Sequence, residues 1–228
     1  MTTRTVEEVL GPLNQVEIKH APDLLYLEGD ESLLQRGVRV CIIGTRKPSA
    51  HGRENARQLA EYLVRQGVTI VSGLAMGIDT EAHRTAIAAG GRTIAVLGTP
   101  LDKVNPPSNT ELQREIGERH LLVSQFAQGT DVYPSNFPRR NRTMALVSNA
   151  TIIVEAGETS GTLHQGFEAL RLGRPLFLLN EVVANPKLTW PKKMLDYGAV
   201  AIGSPADDDA ALYDALPLNL GPSAQPAF

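Results

Sequence analysis

The sequence predicts an α/β fold built on a doubly wound, mainly parallel sheet with helices on both faces. Three observations predict it: short apolar runs rich in branched residues recur along the chain, longer amphipathic stretches separate them, and glycine-rich segments follow several runs. This alternation is typical of βα units, in which each helix returns the chain to a parallel strand.

Six apolar runs predict strands, at residues 38–44, 68–73, 92–98, 121–124, 150–156 and 175–179. The stretch at 52–66 has helical spacing, and Gly67 is suited to end that helix. Four further helices are predicted over residues 80–89, 109–118, 141–148 and 163–172. Joined by right-handed crossovers, these units give an extended Rossmann-like sheet.

A chain of 228 residues is long enough for one sizeable core but short for two ordinary domains. We expect residues 38–203 to form the core and 1–37 to cap the sheet edge as an extension of the same unit. Residues 204–228 are predicted to form a short tail with one helix over 208–216 and no winged helix. The sequence has no apolar run long enough to span a bilayer and no signal-peptide pattern, so a cytoplasmic protein without a membrane segment is expected.

The formal net charge of −3 excludes a protein that is basic all over. Nucleic-acid binding would therefore depend on a local patch. Basic residues gather in two short segments, Arg46-Lys47 and Arg139-Arg140-Asn141-Arg142.

Three glycine-containing loops follow predicted strands. In a parallel α/β sheet, ligands bind outside the carboxyl ends of the strands, and glycine lets backbone N–H groups approach a phosphate. Each loop alone could be an ordinary turn, but three on one edge favour a phosphate site. The candidate residues are Gly44, Thr45, Arg46 and Lys47 in the first loop, Ser72, Gly73 and Gly77 in the second, and Ser160, Gly161 and Thr162 in the third.

The most informative segment places basic residues and an amide beside an aromatic ring, where a helix is predicted to begin. Arginines neutralise phosphates, and an exposed ring stacks a base for about 1–3 kcal/mol. In the alternative interpretation, the ring anchors the loop in the core and the arginines pair with carboxylates. We favour nucleic-acid binding, with Phe137, Arg139, Arg140, Asn141 and Arg142 as the candidates.

Signs of catalysis are weak. The loops match neither a Walker A motif nor GxGxxG, which disfavours ATP hydrolysis and NAD chemistry. Asp79 is interpreted as a helix N-cap, His83 as a packed residue and Cys41 as a buried apolar one. We expect no catalytic residue, no metal and no cofactor.

Several segments in order resemble the DprA/Smf DNA-processing family: GTRKPSAHG, SGLAMGIDTEAH, TIAVLGTPLD with PPSN, FPRRNR and VEAGETSGTL. The resemblance covers about residues 22–180. It implies a homodimeric, non-catalytic protein that binds single-stranded DNA in a basic pocket and helps load RecA in transformation or recombination. It assigns binding to Gly44, Arg46, Ser72, Gly73, Gly77, Phe137, Arg139, Arg140, Asn141, Arg142, Ser160 and Gly161.

The chain departs from the family pattern at several positions. Met76 stands where the family often has a basic residue, Asn105 replaces a tyrosine before proline, and Gln125 replaces a common acid. His164-Gln165 also differs from the usual run after SGTL.

The segment RNRTMALVSNATIIVEAGETSGTL is also similar to the LOG-type nucleoside-monophosphate phosphoribohydrolases. Such an enzyme needs a carboxylate beside the ribose, and His164 and Gln165 occupy the corresponding positions here. Glu155, Glu158 or Glu168 would have to substitute. A domain that senses a small nucleotide in the same pocket is a third hypothesis.

Overall fold

The computed structural model describes residues 1–203, so the helix expected at 208–216 lies outside the described residues. Within that range, nine strands form one sheet in the order β1-β2-β6-β5-β4-β3-β7-β8-β9, and no helix is long and apolar enough to cross a membrane. The strands are β1 (Thr2–Thr5), β2 (Leu24–Gly29), β3 (Arg39–Gly44), β4 (Thr69–Ser72), β5 (Thr93–Leu97), β6 (Leu121–Ser124), β7 (Ala150–Glu155), β8 (Leu176–Leu179) and β9 (Val200–Ile202).

Helices connect most of the parallel strands, as βα units require. Helix α3 packs against α4, and α6 packs against α7. The helices are α1 (Val6–Leu10), α2 (Gln15–Ile18), α3 (Ala50–Arg65), α4 (Ile78–Ala88), α5 (Thr110–Arg119), α6 (Asn136–Val147), α7 (Thr162–Arg171), α8 (Asn180–Val183) and α9 (Trp190–Asp196), with single 3₁₀ turns at Glu31–Leu34 and Pro107–Asn109.

The sheet reverses its strand order at β3. This strand pairs in parallel with β4 on one side and with β7 on the other, so that Cys41 lies between Val71 and Thr151. Ligands of doubly wound sheets bind in the crevice at such a reversal. The carboxyl ends of β3 and β7 are therefore the place to look for a site.

Both faces of the sheet are covered. On β5, Ala95 and Leu97 pack with residues of α5, whereas Ile94 and Val96 belong to the larger hydrophobic cluster. Successive side chains of a strand point to opposite faces, so the two clusters lie on opposite sides of the sheet at this strand. The predicted Rossmann-like, mainly parallel α/β class is confirmed.

The N-terminal residues add two antiparallel strands to this sheet. Strand β1 pairs with β2, and β2 pairs with β6 with Tyr26 opposite Ser124. Between these two strands, Glu17 of α2 forms an ion pair with Arg174, which follows α7: Glu17 Oε1 lies 2.9 Å from Arg174 Nη2.

Two local predictions are wrong. Helix α6 begins at Asn136 and not at Asn141, because Pro138 falls in the first turn, where a helix needs no N–H from that residue. Asp79 is not the N-cap of α4: Gly77 holds that position, and the buried Asp79 carboxylate accepts a hydrogen bond from the Ala75 N–H (3.3 Å).

Candidate nucleic-acid interface

A cavity of about 440 Å³ opens at the carboxyl ends of β3 and β7. We call it the glycine-loop pocket, because residues 44–47 after β3 and residues from 157–162 after β7 form two of its walls. Helix α6 forms the third wall. Of the predicted site residues, the lining includes Gly44, Thr45, Arg46, Lys47, Phe137, Arg140, Asn141, Ser160, Gly161 and Thr162.

The loop after β4 supports the pocket from behind. Gly77 has φ +84°, and a Cβ atom there would lie 2.3 Å from the Thr45 carbonyl oxygen, so only glycine lets the loop after β3 come this close. The Ser72 hydroxyl donates to the Ile42 carbonyl (2.7 Å), and Gly73 packs against Arg140. Ser72, Gly73 and Gly77 are therefore outside the lining of the glycine-loop pocket, although the sequence analysis grouped them with it.

The loop after β7 is fixed by its own hydroxyls and by α6. Ser160 Oγ accepts from the Thr162 N–H (3.2 Å), Thr162 Oγ1 donates to the Gly44 carbonyl (3.3 Å), and Asn141 Nδ2 donates to the Gly161 carbonyl (3.2 Å). These bonds link the loop after β7 to the loop after β3 and to α6.

Helix α7 begins at the pocket without a side-chain cap and without an acidic residue in its first turn. In contrast, Ser49 caps α3 by accepting a hydrogen bond from the Gly52 N–H (2.9 Å). The first three N–H groups of α7 are nevertheless satisfied within the chain, because Thr162 donates to Ser160 Oγ, Leu163 to the Ser160 carbonyl and His164 to the Gly161 carbonyl. The positive end of the helix dipole is what remains at this point to favour an anion. The start of α7 thus agrees with a phosphate in the pocket.

The early start of α6 divides the predicted arginine cluster. Helical spacing turns Phe137, Arg140 and Asn141 towards the glycine-loop pocket. Arg139 and Arg142 are exposed and do not line it. The Arg139 guanidinium lies 5.3 Å from the centroid of the Phe126 ring.

Arg140 is buried and has several acceptors. Its Nη1 donates to the carbonyls of Gly73 (2.5 Å) and Val96 (2.8 Å), and its Nε donates to Asn141 Oδ1 (2.9 Å). Burial lowers the pKa of Arg140, and the charge of Asp79 opposes that shift. We assign Arg140 a positioning role, holding the ends of β4 and β5 together, in place of the direct phosphate contact that the sequence suggested.

Asp79 is the only carboxylate among the described residues that line the glycine-loop pocket. Burial raises the pKa of Asp79, while Arg140 and the Ala75 N–H favour its charged form. A carboxyl group held beside a buried guanidinium contributes little free negative charge to a ligand.

The cations at the rim have no carboxylate partner among residues 1–203. Arg46 lies over the Phe137 ring at 5.9 Å from the centroid, a cation–π geometry. Some arginines elsewhere are paired, as in Arg57 with Glu54 and Glu81, whereas Arg36, Arg53, Arg84 and Arg92 form no ion pair within residues 1–203. Within residues 1–203, no ion pair is formed by Arg46, Lys47, Arg139 or Arg142.

The carboxylate that a phosphoribohydrolase needs has no counterpart at the expected place. His164 lines the pocket, and Gln165 is buried near Cys41 and the Asn141 carbonyl. None of the three glutamates considered as substitutes lines the pocket. Each holds another residue: Glu155 accepts from the Ser49 hydroxyl (2.8 Å), Glu158 from the Thr189 N–H (2.9 Å) and Glu168 from Arg171 (2.6 Å).

His83 and Cys41 are core residues, as the sequence indicated. His83 Nδ1 lies 2.7 Å from Thr93 Oγ1, and burial lowers the pKa of His83 to about 3. Cys41 is fully buried, and burial raises the pKa of its thiol.

Sequence reasoning missed several lining residues and a second cavity. Met144 faces the pocket, which its spacing from Phe137 and Arg140 would have shown had α6 been placed correctly. A cavity of about 530 Å³, which we call the side groove, adjoins the pocket at Phe137. The side groove is lined by Thr99, Lys103, Val104, Asn105, Val132, Tyr133, Pro134 and Phe137.

Known proteins share this sequence and fold. The chain is 35% identical over 196 residues to DNA processing protein DprA of Bacillus subtilis, covering 86% of this chain and 65% of that protein. The structure of DprA from Streptococcus pneumoniae superposes with a TM-score of 0.80 at 33% identity, over 90% of this chain and 72% of that one.

DNA processing protein A from Helicobacter pylori, which binds single-stranded DNA, superposes with a TM-score of 0.79 at 28% identity. That match covers 94% of this chain and 97% of the other. Residues 4–211 match the family described as DNA recombination-mediator protein A. The family match over residues 4–211 and a fold shared over 90% of the chain at 33% identity lead to one conclusion: the chain belongs to the DNA recombination-mediator protein A family.

Proposed function

We propose that this chain binds single-stranded DNA, with backbone phosphates at the glycine-loop pocket and along the exposed side of α6. The observation that carries the proposal is the set of rim cations that form no ion pair within residues 1–203, Arg46, Lys47, Arg139 and Arg142. The relative from Helicobacter pylori, which binds single-stranded DNA, supports it.

The distribution of charge favours a strand over a small nucleotide. A mononucleotide would fill the pocket and leave Arg139 and Arg142 unused, because both lie outside the lining. In contrast, successive phosphates of a DNA strand can contact both the pocket and the two exposed arginines of α6. Single-stranded DNA also offers unpaired bases to the half-buried Phe137 ring.

The experiment is a titration of fluorescently labelled oligothymidine, followed by anisotropy at several salt concentrations. Arg46→Ala and Arg142→Ala should each weaken binding and reduce the salt slope by about 0.7 for each lost phosphate contact. The matched control is Arg114→Ala, since Arg114 pairs with Glu111 and Glu118 on α5. The proposal is wrong if the two site variants bind with the affinity and slope of the control.

We propose a non-enzymatic role, because the glutamates that could replace the hydrolase carboxylate hold other residues. Incubation with nucleoside monophosphates should release no free base above a no-protein blank, as measured by chromatography. Steady release by the purified protein would establish the hydrolase instead.

Membership of the family suggests a wider role. We propose that the protein acts in the cytoplasm as a homodimer and helps load RecA on single-stranded DNA during transformation or recombination. Light scattering tests the dimer, and the rate of RecA filament assembly on strands coated with single-strand-binding protein tests the loading. This chain spans 65% of the length of the Bacillus subtilis relative. The tests therefore use this chain itself and not the longer relative.

A further inference from the structure

The side groove lies beside the glycine-loop pocket, and Phe137 lines both. One wall is the loop after β5, and the other is the loop that leads into α6. Lys103 fixes the two walls: its Nζ donates to the Thr130 carbonyl (2.8 Å) and lies 3.8 Å from Asp131 Oδ1. The groove is therefore a built cavity and not a gap between loose loops.

The walls of the side groove expose apolar surface. Tyr133 is 57% exposed, and Val104 and Val132 are each 37% exposed. Within residues 1–203, the Tyr133 ring has neither an aromatic partner nor a cation over its face. Its π face is thus free to accept a flat ligand.

We propose that the side groove holds unpaired bases of the same strand whose phosphates occupy the glycine-loop pocket, with one base stacked on Tyr133. This inference rests on the proposed function. Because Phe137 borders both cavities, a DNA strand that leaves the pocket past Phe137 can enter the groove. Its volume of about 530 Å³ is in the range of cavities that hold small organic ligands.

Charge around the groove suits a strand. Arg46 lies over Phe137 at one end, and Arg139 lies over Phe126 in the loop that forms one wall. The nearby carboxylate, Asp131, is balanced by Lys103. Asp102, in the loop after β5, is exposed and forms no ion pair within residues 1–203, so the charge that favours a phosphate chain lies on the side of the two arginines.

An extended peptide fits the same groove poorly. Strands β5 and β6, at whose carboxyl ends the groove lies, are each paired on both sides. No free sheet edge is available there for strand addition by a peptide. Stacking, which needs only a ring face, suits a base better.

The first test compares Tyr133→Ala and Tyr133→Phe with the unmodified chain, using labelled oligothymidine of increasing length. Tyr133→Ala should weaken binding of a long oligonucleotide about fivefold or more, and Tyr133→Phe should restore it, because stacking needs the ring and not the hydroxyl. The salt slope should stay unchanged, since no phosphate contact is lost. The control is Tyr197→Ala, an exposed ring that packs on Phe167 elsewhere.

The second test moves a single abasic nucleotide along the oligonucleotide. In the unmodified chain, one or two neighbouring positions should weaken binding, and in Tyr133→Ala the same positions should have no further effect. A loss of affinity that is equal at every abasic position, or a changed salt slope, would overturn the stacking inference. The stacking inference would also be overturned if Tyr133→Ala bound with unchanged affinity while Arg46→Ala bound more weakly. That result would leave the proposed function intact. If the unmodified chain binds no oligonucleotide, both proposals fail.

Discussion

Arg140 is a buried cation surrounded by backbone carbonyls at the ends of two neighbouring strands. Asp79 lies close to it: a methyl group on Gly73 would come within 2.5 Å of Arg140 Nη1 and 2.8 Å of Asp79 Oδ2. The Arg140 guanidinium, the two carbonyl groups and the Asp79 carboxylate are therefore one another's polar partners in a buried place. Removal of one member leaves the others buried without partners.

Arg140→Ala should therefore destabilise the protein by about 3–5 kcal/mol, the cost typical of breaking a buried charged pair. Urea denaturation at neutral pH measures it. Arg142→Ala, two residues along the same helix but exposed, should leave the free energy of unfolding nearly unchanged. Equal stability of the two variants would show that Arg140 is not the positioning residue described above.

The residue types of the site could be predicted from the sequence, but their roles could not. Glycines, hydroxyls and arginines at strand ends indicated a phosphate site. Which arginine is buried depends on how far α6 extends towards the N-terminus. With Pro138 in its first turn, α6 includes Arg140 one turn before the buried Met144, whereas a helix that began at Asn141 would leave Arg139 and Arg140 in the loop.

At the scale of elements, the loop after β3 and the start of α4 act as one unit. The Ile78 N–H donates to the Thr45 carbonyl (3.3 Å), and Gly77 leaves room for this approach. The phosphate-facing loop therefore depends on a glycine that does not itself line the pocket.

Gly77→Ala should lower both stability and affinity for single-stranded DNA, because its φ of +84° strains any other residue and its Cβ would meet the Thr45 carbonyl oxygen. Gly67→Ala is the matched control: Gly67 has φ +75° but nothing within 4 Å of the added atom. The control should lose about 1–2 kcal/mol of stability with no loss of affinity. Thermal denaturation and anisotropy measure the two effects, and equal affinities would refute the role of Gly77.

The central strands and longer helices could be predicted because burial on both sides gives them a clear apolar signal. Strands β1, β2 and β9 and the short helices α1, α2, α8 and α9 were not predicted. Strand β1 has no buried residue, and helices of four to seven residues carry too little periodicity to detect. Such elements are set by pairing with the completed sheet and not by local preference.

At the scale of the whole molecule, stability should depend on pH through His83. The folded protein holds this residue neutral until about pH 3, whereas the unfolded chain protonates it near its ordinary pKa of 6.5. Between these values the unfolded state binds more protons, so stability falls as the pH falls, by up to about 1.4 kcal/mol per pH unit. Asp79, whose pKa is raised by burial, works in the opposite direction above its ordinary value of 3.8.

His83→Gln should flatten this dependence. Urea denaturation at about pH 7, 6 and 5 gives the free energy of unfolding of both proteins. As the pH is lowered, the free energy of unfolding of the variant should rise relative to that of the unmodified protein. Parallel curves would show that another group causes the acid sensitivity.

The pairing of β3 with β7 joins segments that are far apart along the chain, since Val40 lies opposite Ala150 and Gly44 opposite Glu155. That pairing brings together the two loops that line the glycine-loop pocket, and the lining residues extend along the chain as far as Gln165. During synthesis the first loop leaves the ribosome more than a hundred residues before the third. A partly made chain therefore has no complete pocket, and the proposed binding of single-stranded DNA requires that the centre of the sheet has closed.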